Sequence, residues 1–464
     1  MDASDMARNI VNNNILELIG NTPLIRVNRF DTGPCALFLK LENQNPGGSI
    51  KDRVALAMIE AAEREGTIQP GGLLVEATAG NTGLGLALVA NQKNYRLLLV
   101  IPDKMSQEKI FHLKAMGAEI VLTRSDVGKG HPEYYEDMAE RIARERGGLY
   151  MNQFANPANP LAHERTTAPE IWQQMEEKLD AVVVGVGSGG TLTGLGRYFS
   201  AHAPHVEMVL ADPKGSILAP YVKTGTKVPA GSWLVEGIGE DFVPVNCELG
   251  FVSRAYQIDD AESIATSRAL LKQEGIMCGS SSGTLMAAAL RYCREQHEPK
   301  RVVTLVCDSG NKYLSKIFND YWLDDQGLLA RPETHDLRDL IARAHNRRNA
   351  IFIAPDDTLQ AAYRKMKMYD VSQLPVMSEG ALQGIIQETD ILLSVLDDGE
   401  GFSKPVRSAM TSQLVTIAPE DPPQALLPIF AQGMTAIVME GDDFLGLITP
   451  IDFLQYLRKR SGHP

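Results

Sequence analysis

From Leu73 onward the sequence alternates short, uninterrupted apolar runs with helix-like segments, and this rhythm restricts the fold more than any other feature. Gly72-Leu73-Leu74-Val75-Glu76, Arg96-Leu97-Leu98-Leu99-Val100-Ile101 and Glu119-Ile120-Val121-Leu122 read as strands. So do Ala181-Val182-Val183-Val184-Gly185-Val186 and Arg301-Val302-Val303-Thr304-Leu305-Val306. Between the early runs lie the small-residue helix Leu84 to Asn91 and the helix Ser106 to Met116. A strand that is apolar at every position has no face to give to water, so both faces must be covered. Such strands, separated by helices, predict a mainly parallel sheet in an α/β domain.

Around residues 320–340 the rhythm stops at the polar turn Asp324-Asp325-Gln326-Gly327 and the connector Arg331-Pro332-Glu333. Beyond it the chain repeats itself. Ile353-Ala354-Pro355-Asp356-Asp357 is echoed by Ile417-Ala418-Pro419-Glu420-Asp421, and Leu382-Gln383-Gly384-Ile385-Ile386 by Phe444-Leu445-Gly446-Leu447-Ile448. Two copies of about 60 residues form a pseudo-symmetric pair, since a solenoid needs about three. The expected division is a first domain over 1–330, a linker over 331–340, and repeats over 341–400 and 401–464.

Composition excludes several classes. The 464 residues carry 45 Lys+Arg against 58 Asp+Glu, for a net charge of -13. With 44% hydrophobic and 22% charged residues the chain suits a globular protein of roughly two or three domains. Nucleic acid is not an expected partner, because no basic stripe is present to neutralise phosphates. The five cysteines (Cys35, Cys247, Cys278, Cys293 and Cys307) are scattered without a CxxC pair or a Cys/His cluster, so they read as reduced, mostly buried thiols and no metal site is expected. Met1 to Asn14 carries two aspartates and no apolar run, and no segment nears 18 apolar residues. Neither signal peptide nor membrane span is expected, which points to the cytoplasm.

Four small-residue turns stand at strand-to-helix junctions. In Asn45-Pro46-Gly47-Gly48-Ser49-Ile50-Lys51-Asp52-Arg53, Ser49 is placed to cap the following helix and to hold Lys51 in its first turn. A cation there meets the positive helix end, which lowers its pKa as a Schiff-base lysine requires. The competing reading is a surface lysine paired with Asp52. Gly187-Ser188-Gly189-Gly190-Thr191 offers backbone N–H groups without Cβ bulk to a single phosphate. It does not fit a dinucleotide fingerprint well and has no P-loop lysine, and a ligand-free close-packed turn is the alternative. Thr78-Ala79-Gly80-Asn81-Thr82-Gly83 could hold a carboxylate or simply cap a helix. Cys278-Gly279-Ser280-Ser281-Ser282-Gly283 carries a Gly-x-Ser-x-Gly spacing at Gly279, Ser281 and Gly283, yet a Ser/His/Asp triad is not expected.

Taken in order and spacing, these turns together with Ile19-Gly20-Asn21-Thr22-Pro23-Leu24 resemble the fold-type II pyridoxal-phosphate enzymes of the cysteine synthase and cystathionine β-synthase family, over roughly residues 14–320. Glu236-Gly237-Ile238-Gly239-Glu240-Asp241, Lys104-Met105-Ser106-Gln107-Glu108-Lys109 and Asn159-Pro160-Leu161-Ala162-His163 resemble the cystathionine β-synthase branch. The C-terminal pair resembles a Bateman module of two CBS repeats. The implied fold is two open, mainly parallel α/β subdomains followed by the tandem repeats.

The implied activity is a lyase-type β-replacement in transsulfuration: L-serine or L-cysteine loses its β-substituent as water or hydrogen sulfide, and L-homocysteine adds to give L-cystathionine. By this resemblance Lys51 holds pyridoxal phosphate covalently and then serves as the base. Gly187, Ser188, Gly189, Gly190 and Thr191 bind its phosphate, Asn81 its ring hydroxyl oxygen and Ser281 its ring nitrogen. Thr78, Ala79, Gly80, Thr82, Gln153 and Gly237 bind the substrate. Ala79 stands where the family usually has serine, and Phe154 where many relatives have tyrosine. No haem is expected, since neither Cys nor His occurs among the residues before Ile15. Thr449 and Asp452 match the ribose-binding Thr-x-x-Asp of Bateman modules, which implies an adenosyl ligand such as S-adenosylmethionine; assembly alone is the other reading of the pair. A homodimer or homotetramer is expected. Two further alternatives are a cysteine synthase using O-acetylserine or O-phosphoserine with sulfide, and an adenosyl-sensing interaction protein with an inert catalytic domain.

Overall fold

Each apolar run of the first part enters one of two sheets in the computed structural model, which describes residues 11–78, 80–103, 107–124, 126–127, 130–329, 334–341, 351–396 and 401–460. Ala79, residues 104–106, part of the expected linker and the start of the first repeat lie outside the described residues. In chain order the strands are β1 (Leu24–Arg26), β2 (Ala36–Lys40), β3 (Leu73–Ala77), β4 (Arg96–Pro102), β5 (Glu119–Thr123), β6 (Leu149–Tyr150), β7 (Ala181–Val184), β8 (Glu207–Pro213), β9 (Val252–Ile258) and β10 (Arg301–Leu305). One sheet, ordered β5-β4-β3-β6, is parallel throughout. The other runs β1-β2-β10-β7-β8-β9 and is parallel except where β1 meets β2. Every residue of β3 and β7 is buried, Glu76 of β3 included.

The helices that matter for the site are α1 (Lys51–Arg64), α2 (Asn81–Lys93), α3 (Gln107–Ala115), α4 (Gly190–His202) and α5 (Ser280–Arg294). Two begin earlier than apolar spacing alone suggests: α2 at Asn81 rather than Leu84, and α5 at Ser280 rather than Thr284. Their first turns are Gly, Ser, Asn and Thr, weak helix formers whose small size permits close packing. A Cβ at Gly283 would lie 2.0 Å from the Ser263 carbonyl oxygen. Ser49 is displaced from its expected role: the cap position falls on Ile50, which makes no side-chain cap bond, and Ser49 Oγ accepts from the Lys51 N–H at 3.3 Å.

The chain divides into two compact units between Trp322 and Leu323. In the second, each repeat places an antiparallel strand pair between two helices: β11 (Gln373–Ser378) and β12 (Ala381–Gln387) between Leu359–Tyr369 and Glu388–Leu396, then β13 (Thr416–Ile417), β14 (Ala436–Glu440) and β15 (Asp443–Ile448), with β14 and β15 between Leu426–Ala431 and Pro450–Arg460. Both pairs carry a register shift at the same point, Val376/Met377 and Val438/Met439. Leu337 and Leu340, within the expected linker, are buried with Ile417 and Leu426 in the core of the second repeat. Among the described residues no helix is long and apolar enough to cross a membrane.

Candidate active site

The carboxyl ends of β3, β4, β7 and β10 supply Ala77, Pro102, Gly185 and Leu305 to the wall of a cavity of about 670 Å³. Parallel strands leave room for a ligand at these ends. Lys51, at the first position of α1, lines it. Burial lowers its pKa, an effect opposed by Cys307, Asp308 and Glu240. Among the described residues no carboxylate lies within ion-pair distance of its amine. The surface pair with Asp52 is therefore corrected: Asp52 is fully buried, and its Oδ2 accepts from the Gly47 N–H at 2.5 Å. Burial pushes its carboxyl up to about 7, outweighing the Gly47 N–H and the fields of Lys312 and Arg53, which pull the other way.

Asn81 opens α2 and is held at both ends of its amide. Nδ2 donates to Asp308 Oδ2 at 2.8 Å, and Oδ1 accepts from Lys312 Nζ at 2.7 Å. Lys312 also donates to the carbonyls of Gly47 and Gly48 at 3.1 and 3.2 Å, which ties the turn before Lys51 to Asn81. Tyr313 donates to Asp308 Oδ2 at 2.5 Å. Neither Asp308, Lys312 nor Tyr313 stands in a motif that its own spacing makes conspicuous, and sequence reasoning missed all three.

Gly187, Ser188, Gly189, Gly190 and Thr191 line the same cavity where β7 passes into α4. Gly189 has φ +87°, and a Cβ there would lie 2.6 Å from that of Cys247; one at Gly187 would lie 2.6 Å from the Gly237 carbonyl oxygen. At Gly190 it would come within 1.9 Å of Asn159 Oδ1. Asn159 Nδ2 donates to Ser188 Oγ and to the Gln153 carbonyl, both at 2.8 Å. Thr191 Oγ1 lies 3.2 Å from His163 Nε2, and burial together with the fields of Lys51 and Arg53 keeps that imidazole neutral. Asn159 and His163 belong to a stretch conspicuous in the sequence, but not by any role.

In the same cavity the Gly80 N–H donates to Thr78 Oγ1 at 3.2 Å, and Thr82 Oγ1 donates to Gln153 Oε1 at 2.6 Å. The Gln153 N–H donates to Glu76, whose fully buried carboxyl is pushed up to about 8 by desolvation. Ser281, in the first turn of α5, and Gly237, at φ +88°, complete the expected set lining the cavity, with Phe154 beside them. Beside Ser281, burial raises the Cys307 thiol to about 12. Ala79 lies outside the described residues. Thr449 and Asp452 belong to the second repeat: Asp452 Oδ2 accepts from the Thr449 N–H at 2.7 Å and from its hydroxyl. Asp390 does the same for the Gln387 N–H at 2.8 Å, so each repeat uses its Asp at a helix start.

A family model described as pyridoxal-phosphate dependent enzyme matches residues 15–308, and a CBS domain model matches 338–397 and 406–459. The chain belongs to the pyridoxal-phosphate-dependent enzymes. A protein named cystathionine beta-synthase from Apis mellifera is 34% identical over 461 residues, spanning 96% of this chain and 91% of its own. A cysteine synthase from Staphylococcus aureus is 42% identical over 305 residues, spanning 65% of this chain and 95% of its own. Among solved structures, a hydrogen sulfide-producing enzyme from Fusobacterium nucleatum is 35% identical with a TM-score of 0.60, over 66% of this chain and all of the other. The cavity fits the family's cofactor. Its glycine cradle, which a Cβ at 187, 189 or 190 would fill, lies at the amino end of the 13-residue helix α4, where backbone N–H groups favour a phosphate. Lys51, with its lowered pKa, offers the amine such a cofactor requires.

Proposed function

We propose that this enzyme, a pyridoxal-phosphate-dependent lyase, condenses L-serine or L-cysteine with L-homocysteine to give L-cystathionine and water or hydrogen sulfide, in transsulfuration. The observation that carries this reading is the whole-length likeness to a chain named cystathionine beta-synthase, which runs through both repeats, whereas the cysteine synthase likeness covers only 65% of the chain.

Pyridoxal phosphate, held by Lys51, supplies an electron sink for the pair left at the substrate α-carbon when its proton departs. The residues around it divide the remaining work. The 187–191 turn and the start of α4 hold the phosphate. Asn81, its amide fixed by Asp308 and Lys312, would meet the ring oxygen. Ser281 is a neutral partner for the ring nitrogen, so the sink is weaker than a carboxylate partner would make it, which favours elimination over transamination. Thr78, Gly80 and Thr82 hold the substrate carboxylate with Gln153 braced against Thr82, and Ala79 and Gly237 belong to the same reading. The Lys51 amine, its pKa lowered by burial, would take the α-proton and later return it to the product. Closure over the bound substrate would keep water from competing with the thiol.

Within this reading the enzyme is cytoplasmic, carries no haem and forms a homodimer or homotetramer. Exposed Leu393 and Leu396 on one repeat helix and Ile451 and Leu454 on another support assembly through the repeats. Thr449 and Asp452 would meet the ribose of an adenosyl ligand; calorimetry with S-adenosylmethionine, AMP and ATP tests this, and no heat with any of them would overturn it.

The function is tested by supplying purified holoenzyme with L-serine plus L-homocysteine, and separately with O-acetylserine or O-phosphoserine plus sulfide. Cystathionine formed at the higher kcat/KM is the expected result, and cysteine formed in its place would overturn the reading.

A further inference from the structure

One charged cluster on the cavity wall is left idle by the residues assigned so far. Lys316 Nζ donates to Glu236 Oε1 at 2.7 Å, and Lys109, on α3, donates to Glu236 Oε2. All three line the cavity. The Lys109 side chain is 4% exposed, and its ammonium lies 4.6 Å from the centroid of the Tyr313 ring. Burial works to raise the pKa of Glu236, yet the two lysines hold it below the usual carboxylate range.

One lysine would be enough to satisfy Glu236. The second leaves two cations against one anion, an arrangement that is costly in a partly dry wall unless another anion is brought to it. Glu240, also on the wall, does not balance the charge, because burial and the adjacent Asp241 drive it towards its neutral form. Each ammonium has three N–H donors, and among the described residues each has one hydrogen-bonded acceptor, Glu236. Asp308 Oδ2 accepts from Asn81 and Tyr313, and its charge faces Lys312, which donates to Asn81 and the Gly47–Gly48 carbonyls.

In the reading above the carboxylate of the first substrate is assigned to Thr78, Gly80 and Thr82. We propose that Lys109, Lys316 and Glu236 form the subsite for the second substrate: the lysines bind the carboxylate of a thiol amino acid, and Glu236 binds its ammonium. Sulfide, which has neither group, gains nothing from such a subsite. Lys109 comes from the half built on the four-stranded sheet, while Glu236 and Lys316 come from segments attached to the six-stranded one, so the acceptor draws on both halves. This inference rests on the β-replacement reading above.

The test compares L-homocysteine with its decarboxylated analogue, aminopropanethiol, as acceptors for the holoenzyme at saturating L-serine. The wild type is expected to prefer L-homocysteine. In Lys316→Met that preference, as a ratio of kcat/KM values, falls about tenfold or more through a higher KM for L-homocysteine, and Lys316→Arg recovers part of it. Lys109→Met moves the ratio the same way. The Lys316 side chain is 25% exposed and accepts substitution more readily, so it carries the test if Lys109→Met does not fold. A ratio within about twofold of wild type in the folded variants, or a wild type with no preference, overturns the subsite and leaves the β-replacement reading standing. A wild type that makes no cystathionine overturns that reading, and the subsite with it.

Discussion

Lys51 opens a helix whose amino end already concentrates positive charge, within a wall that withholds water, and both effects favour its neutral amine. Lys51→Ala is expected to lower turnover of L-serine by at least about 10³-fold, measured as cystathionine formed per enzyme. At Gly190 the 1.9 Å approach to Asn159 leaves no room for a methyl group. Gly190→Ala should cost about 1–3 kcal/mol of stability in denaturant unfolding and weaken cofactor binding in a pyridoxal-phosphate titration. Asp52 gives a pH signature. It ionises near 3.8 when unfolded and near 7 in the fold, so between those values the native state holds the extra proton and stability falls as pH rises. Asp52→Asn should flatten that fall by up to about 1.4 kcal/mol per pH unit in urea unfolding followed from pH 5 to pH 8. Lys51, Asn81 and Ser281 were legible because each sits in a short motif. Asp308 and Lys312 were not, since their importance comes from partners more than 200 positions away at Asn81 and the Gly47–Gly48 turn, and Tyr313 matters through its bond to Asp308; that proximity exists only after folding.

The placement of α1 is as consequential as the lysine it carries. Two residues after Lys51, Arg53 grips Glu42 at 2.8 Å through both Nε and Nη2 and Glu170 at 2.7 Å through Nη1 and Nη2; Lys40 meets Glu170 at 2.7 Å. Glu42 is wholly buried, so Arg53→Met would strand its charge. The expected loss is about 3–5 kcal/mol in equilibrium unfolding, with lower kcat in whatever enzyme remains folded. The parallel strands were legible because an all-apolar run has few other places to go. The starts of α2 and α5 were not, because Asn81-Thr82-Gly83 and Ser280-Ser281-Ser282-Gly283 have the composition of turns, and tertiary packing holds them helical. Ser49 shows the reverse error: a good capping residue stands one position too early, and its hydroxyl serves the Lys51 N–H instead.

At the level of the whole molecule, the internal repeat was visible because the echo of Ile353 to Asp357 in Ile417 to Asp421 is direct, whereas the burial of Leu337 and Leu340 in the second repeat's core was not. All the residues lining the cavity lie between Ile50 and Trp322, within the first unit. A chain ending after Gly327 should therefore keep pyridoxal phosphate, with a dissociation constant within about threefold of the full chain, and loss of binding would show that the cavity needs the repeats. The central claim, β-replacement on a cofactor held by Lys51, is tested most directly by the visible absorption spectrum of the purified protein as L-serine and then L-homocysteine are added. The account predicts a cofactor band that moves with L-serine and returns with L-homocysteine, and that does neither in Lys51→Ala. A wild-type protein that stays colourless after pyridoxal phosphate is supplied, or whose band ignores L-serine, would contradict it.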